Sequence, residues 1–136
     1  MDGCIFCQFV RGERPVHRIL ESEHALAFLD NCPATPYHAL VIPKRHSTNV
    51  FDISEDDFLA VAALTKRVVE LYRERLGLQN VELVHCAGEA AQQAVFHLHV
   101  HVVPRHDGDG QDTDWTRHPE LHDDFDALLA RLAAPG

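Results

Sequence analysis

The stretch His97-Leu98-His99-Val100-His101 sets three imidazoles at alternate positions, followed by Val102 and Val103. Successive side chains of a strand point to opposite faces. The spacing therefore predicts one face of histidines, about 6.5 to 7 Å apart along the backbone, with Leu98 and the valines turned to a core. Pro104 has no N–H to give to a ladder and marks the strand's end or an edge. Three uses of such a row compete. Two imidazoles with a third ligand can build a catalytic zinc site with an open position. One imidazole can attack as a nucleophile while its neighbours orient it and stabilise an oxyanion. The third use is structural, with rings satisfied by backbone or solvent. Gln92 and Gln93, neutral donors, stand just before the row. A zinc hydrolase calls for a carboxylate base near its metal-bound water, and the nearest carboxylate upstream is Glu89, in a loop. The balance favours a nucleophilic histidine.

Those side chains need a scaffold, and the rest of the chain predicts an α+β domain with an antiparallel sheet. Residues 4–10 read as a short knuckle and turn. Strands are expected at 17–21, 24–29, 38–43 and 80–86, before the histidine strand. The prolines of Asn31-Cys32-Pro33-Ala34-Thr35-Pro36-Tyr37 make a loop. Ser54 and Asp57 resemble a capping box that opens the clearest helix, with Phe58, Val61, Leu64, Val68, Leu71 and Tyr72 at helical spacing and Gly77 as its stop. After a polar loop, Leu121, Phe125, Leu128, Leu129 and Leu132 predict a last amphipathic helix.

At 136 residues the chain is long enough for one domain with a proper core. The net charge of −9 argues against a nucleic-acid polymer as partner, while leaving room for a small phosphorylated ligand held by a few local donors. No apolar run approaches the ~18 residues of a spanning helix, and the N-terminal stretch lacks the basic start and apolar run of a signal peptide. Four cysteines in such a chain suggest reduced thiols or metal ligands more than disulfides, and a cytoplasmic location is expected. Cys4-x-x-Cys7 alone is a weak metal signal. Cys32 and Cys86 read as structural.

The string 97-HLHVHVV-103 fits the histidine-triad (HIT) motif, His-φ-His-φ-His-φ-φ with φ apolar, at all seven positions. With 4-CIFCQFVRGERP-15 and 37-YHALVIPKRH-46, the chain resembles the bacterial branch of that family over roughly residues 3–110. The resemblance implies a HIT-like fold with an antiparallel sheet of about five strands, one long helix, an N-terminal zinc knuckle and a C-terminal helix. Residues 1–110 would be the HIT domain, and 111–136 a loop and helix packed on it.

It also implies roles. His99 is the expected nucleophile on the α-phosphorus of a nucleotide conjugate, forming a nucleotidyl-histidine that water resolves to a nucleoside monophosphate. His101 would bond a non-bridging phosphate oxygen, and Gln93 would contact the leaving-group side. Asp30 would accept bonds from the ribose hydroxyls, with His38 supporting the triad from behind. Cys4, Cys7, His46 and His97 would hold a structural zinc. This divides the triad into a ligand, a nucleophile and a phosphate binder.

The implied activity is hydrolysis of purine nucleoside phosphoramidates or related nucleotidyl adducts by a homodimer. The third histidine argues for hydrolysis, because the uridylyltransferase relatives carry glutamine there. The rivals are a dinucleoside polyphosphate hydrolase, a non-catalytic nucleotide-binding protein, and a zinc hydrolase using His97 and His99. The chain departs from the family at Cys86, where asparagine is usual, at Gln92, where glycine is usual, and at Ala94, where some members have serine. No matching pattern covers the segment from about 111 onwards. Trp115 there is expected either to shape selectivity or to anchor the tail.

Overall fold

The structure is a computed structural model that describes residues 3–111, 115–121 and 124–133. The expected C-terminal segment 111–136 thus includes 112–114, 122, 123 and 134–136, which lie outside the described residues. Five strands form one sheet: β1 (Arg18–Glu21), β2 (Ala25–Leu29), β3 (Ala39–Pro43), β4 (Val81–Val84) and β5 (Val100–Pro104). Their order is β1-β2-β3-β5-β4, with every neighbouring pair antiparallel. The helices are α1 (Ile5–Val10), α2 (Glu55–Leu76) and α3 (Phe125–Ala133).

Helices cover both faces of the central strands, which is why β2 and β3 read as nearly continuous apolar runs. On one face α2 sets Val61, Leu64, Val68 and Tyr72 against Ala25, Ala27, Ala39, Val41, Leu98 and Val102. The three alanines leave room for the helix to approach the sheet. Its ends follow the sequence signals. Ser54 Oγ accepts from the Asp57 N–H at 3.1 Å. Gly77 takes the left-handed conformation at φ 67°, and its N–H closes on carbonyls of the last turn.

On the other face, the expected knuckle is a short helix. Cys4 Sγ accepts from the Cys7 N–H at its N-terminus. Phe6 and Phe9 lie one turn apart and bury together on Phe28, with ring centroids 5.5 and 5.3 Å away. A turn without helical geometry would point only one of those rings inward.

The histidine segment departs further from its expected form. Regular pairing begins only at Val100, so His97 and His99 precede β5. β4 reaches no further than Val84 opposite His101, which leaves the earlier residues no ladder partner. The Leu98 N–H bonds instead to the Ser47 carbonyl at 2.7 Å. Alternation survives nonetheless, since Leu98 and Val102 enter the α2 core while the histidines face α1. Val103, expected in the core with the other valines, lies on the face of His101 and is only partly buried, because β5 continues its two-residue period.

At the C-terminus, Leu121 closes a single 3₁₀ turn (Pro119–Leu121) rather than joining the last helix. No residue of α3 is buried, and its apolar side chains run from 52% exposed at Leu128 to 82% at Leu132.

Candidate active site

Asp30 follows β2 and His38 precedes β3, and the Asp30 N–H bonds to the His38 carbonyl at 2.9 Å across the end of that hairpin. β5 pairs with β3 so that His101 stands opposite Leu40, which brings its ring beside His38. The Ala34 N–H donates to His38 Nδ1 at 2.9 Å, so a neutral His38 carries its proton on Nε2. That proton points to His101 Nδ1, also at 2.9 Å. His101 in turn must hold its own proton on Nε2, turned outward. Asp30 Oδ2 lies 3.6 Å from His38 Nε2, and its other oxygen accepts from the Cys32 N–H at 2.8 Å. Asp30, His38 and His101 converge closely enough to suggest a metal site. The Ala34 amide argues against it, because ligation through Nε2 would force a proton onto Nδ1 against another donor.

His99 is fixed by a similar device. Its Nδ1 lies 2.8 Å from the His97 carbonyl and donates to it, leaving the Nε2 lone pair unprotonated. The edge-on ring of Phe6 packs 5.3 Å from the imidazole. Burial pushes the pKa of His99 and His38 down, and that of His101 from 6.5 to about 4. All three rings are therefore neutral at pH 7, as a nucleophile and a neutral donor require. His99 and His101 line a 390 Å³ pocket, within the usual ligand-site range. Its apolar wall includes Phe9, Val16, Phe28 and Leu40, and Asp30 lies at its side.

The four expected metal ligands meet beside the triad. Cys4 Sγ and Cys7 Sγ lie 3.4 and 3.5 Å from His97 Nδ1, Cys7 Sγ lies 3.4 Å from His46 Nδ1, and the two Nδ1 atoms are 3.2 Å apart. Ligands at ~2.3 Å for sulfur and ~2.0 to 2.1 Å for nitrogen around a tetrahedral ion would be separated by about 3.3 to 3.6 Å for pairs that include a nitrogen, and by about 3.8 Å for the two sulfurs. The set fits. His97 Nε2 donates to the Pro43 carbonyl at 2.9 Å, which keeps Nδ1 unprotonated and aimed at the cluster, the outer-shell arrangement of a metal-bound histidine. Burial lowers the His97 pKa to about 4 and raises that of the Cys7 thiol. A cation would offset the second effect by favouring thiolate.

Gln93 is 6% exposed, and its amide is fully engaged. Oε1 accepts from the Gly88 N–H at 2.8 Å and from Asn49 Nδ2 at 3.2 Å, while Nε2 donates to the carbonyls of Thr48 at 2.7 Å and Val95 at 3.1 Å. It ties three segments together at the pocket's edge. Gln92 occupies the left-handed region at φ 70°, a conformation that glycine adopts freely and that costs a residue with a β-carbon about 1 kcal/mol or more. Gln92 and Cys86 line the pocket, and Trp115 stands beyond them, 86% exposed. Cys32 is an exposed free thiol.

Sequence reasoning missed His85. Its Nδ1 donates to the His99 carbonyl at 3.1 Å, and its Nε2 accepts from the Val50 N–H at 3.2 Å. Ala34, Ser47 and Asn49 likewise act on the site through partners distant in sequence, a relation no local motif announces.

A family model described as "HIT domain" matches residues 11–108. Adenosine 5'-monophosphoramidase hnt1 of Schizosaccharomyces pombe is 32% identical over 133 residues, covering 97% of each chain. The crystal structure of a HIT family protein from Bacillus anthracis superposes with a TM-score of 0.90 at 30% identity, covering 97% of this chain and 96% of that one. A Zn-bound histidine triad family protein from Mycobacterium smegmatis gives a TM-score of 0.76 at 37% identity, covering 97% and 96%. With the motif, the fold and these relatives in agreement, the chain belongs to the HIT-domain family.

Proposed function

We propose that this protein hydrolyses nucleotide conjugates, purine nucleoside phosphoramidates or related nucleotidyl adducts, through a nucleotidyl-His99 intermediate. One observation carries the reading: His99 has Nδ1–H locked on the His97 carbonyl and Nε2 free, beside an imidazole whose outward nitrogen bears a proton. The name of the fission-yeast relative supports the reaction class. The purine lies against the apolar wall and the ribose hydroxyls donate to Asp30. His101 Nε2–H donates to a non-bridging phosphate oxygen as charge develops there. His99 Nε2 attacks phosphorus, the P–N bond breaks, and the amine leaves with a proton from water, since Ala94 offers no hydroxyl. Water then attacks the nucleotidyl-imidazole, releasing the nucleoside monophosphate and restoring neutral His99.

Gln93 serves this site by holding its loop, and a leaving group reaches its amide only by displacing a bond it already makes. Zinc on Cys4, Cys7, His46 and His97 is structural: four protein ligands leave no open position, and the ion pins α1 to the triad segment. The active species is a homodimer. β4 is an edge strand, and Phe58, Ala62, Val69 and Leu83 form an apolar surface where it meets α2. A cytoplasmic location suits this chemistry and the free thiols. No described helix is long and apolar enough to cross a membrane.

The test is release of AMP from adenosine 5'-phosphoramidate by the wild type and by His99→Ala. Turnover in the wild type, lost by orders of magnitude in the variant, is the expected outcome. Equal rates would exclude His99 as nucleophile, and no turnover by the wild type would favour the nucleotide-binding rival.

A further inference from the structure

On the α2 side of the sheet, a second pocket of 270 Å³ opens between the last turn of the helix and the β1–β2 edge. Ile19, Leu29, Leu71 and Leu76 make it apolar. Two features are out of keeping with a simple packing groove. Tyr72, 4% exposed, has a hydroxyl with no hydrogen-bond partner among the described residues. Burial pushes its pKa up to about 12, so it remains a phenol, a donor without an acceptor. Arg75 lies three residues further along the same helix, where its side chain neighbours that of Tyr72, and it makes no ion pair with any described residue. Arg18 also borders the pocket but is committed to Glu21 at 2.9 Å and to the Phe9 carbonyl at 3.2 Å. In a chain of net charge −9, this pocket is bordered by two guanidiniums and no carboxylate.

The pocket's walls also adjoin the active site. Leu29 lines both pockets and directly precedes Asp30. Tyr37 directly precedes His38, sits at φ 68°, and packs its ring edge-on to Tyr72 with centroids 5.8 Å apart. Whatever seats itself there touches the chain neighbours of the two groups that flank His101.

We propose that this pocket binds a small amphiphilic monocarboxylate, its hydrocarbon body against the leucines and its carboxylate on Arg75, with the Tyr37 ring swinging aside from Tyr72 so that the carboxylate also reaches the Tyr72 hydroxyl, which is otherwise buried from solvent. A carboxylate supplies the acceptor Tyr72 lacks and matches the fork of a single guanidinium. Occupancy acts on the triad through Tyr37–His38 and Leu29–Asp30.

Octanoate is the probe, titrated into the full chain with its metal bound and followed by amide NMR and calorimetry. Saturable binding is expected, with shifts at Leu71, Tyr72, Leu76 and Tyr37. Affinity should fall at least tenfold for 1-octanol, for acetate and for Arg75→Gln, and about threefold for Tyr72→Phe. Octanol or acetate binding as tightly as octanoate, unchanged affinity in Arg75→Gln, shifts located elsewhere, or no saturation would each overturn the assignment. Movement of the His101 ring resonances on saturation reports the coupling, and a bound complex that leaves them unmoved refutes it. None of these readouts depends on turnover, so a failure of the hydrolase reading would leave this result standing.

Discussion

A backbone amide at Ala34 decides where the proton sits on His101, two imidazoles away. Replacing His38 by alanine removes the donor to His101 Nδ1 and lets both tautomers compete. The expected result is a fall in kcat on the order of tenfold with KM little changed, smaller than the ~10² to 10³ for losing a preorganised oxyanion donor outright in His101→Ala. Steady-state kinetics on the two variants separates these effects, and an unchanged kcat in His38→Ala would refute the relay. The protonation argument has a direction too. Burial lowers the pKa of His99 below 6.5, so the reactive neutral form persists as pH falls through 6.5. A pH profile of kcat/KM for the free enzyme should place its acid limb below 6.5. At Gln93, alanine would strip partners from the Gly88 N–H and the Thr48 and Val95 carbonyls. Each buried group left unpaired costs about 1 to 3 kcal/mol, a loss that denaturant titration would register.

Among the elements, α1 has six residues, too few to be stable alone, and it rests on two supports: Phe6 and Phe9 against Phe28, and the cysteine pair against His46 and His97. Cys7→Ser should lower metal content to near zero and Tm by several degrees, with activity lost because His97 and the His99 backbone lose their anchor. Elemental analysis beside a thermal melt tests this. Full stability with no metal would show that aromatic packing alone holds α1. A chelator that abolished activity while leaving Tm intact would favour the zinc-hydrolase rival. The long helix α2 is less vulnerable at its start, where Ser54→Ala should cost about 1 kcal/mol.

For the whole molecule, apolar surface remains exposed at Phe58 and Leu83 near the β4 edge, at Leu59 on α2, and along α3. Light scattering should give twice the mass of 15.3 kDa, and a charged substitution at Leu83 should shift that equilibrium toward monomer. Acid should destabilise the fold. His101 has a folded pKa of about 4, and burial lowers those of His38 and His99 as well, against the 6.5 of the free side chain. Between those values the unfolded chain binds more protons than the folded one, so the contribution of these groups is full above pH 6.5 and is lost as pH falls toward 4. Thermal melts from pH 7 to 4 should show Tm declining through that window.

Local residue patterns suffice for the five strands, the long helix and the last helix in their chain order, but not for the helix at Ile5–Val10. Ser54 and Gly77 bound α2 because a cap and a left-handed stop are local chemistry, and the alternation of His97, His99 and His101 with apolar residues survives even where the regular strand does not. The meeting of Cys4 and Cys7 with His46 and His97 entered through the resemblance, since the two ends of that cluster are about ninety residues apart. The tautomers, the engagement of Gln93 and the part played by His85 emerge only once the chain is folded. Each depends on a backbone amide or carbonyl, and every residue but proline carries both, so residue types alone do not reveal which will face a given imidazole.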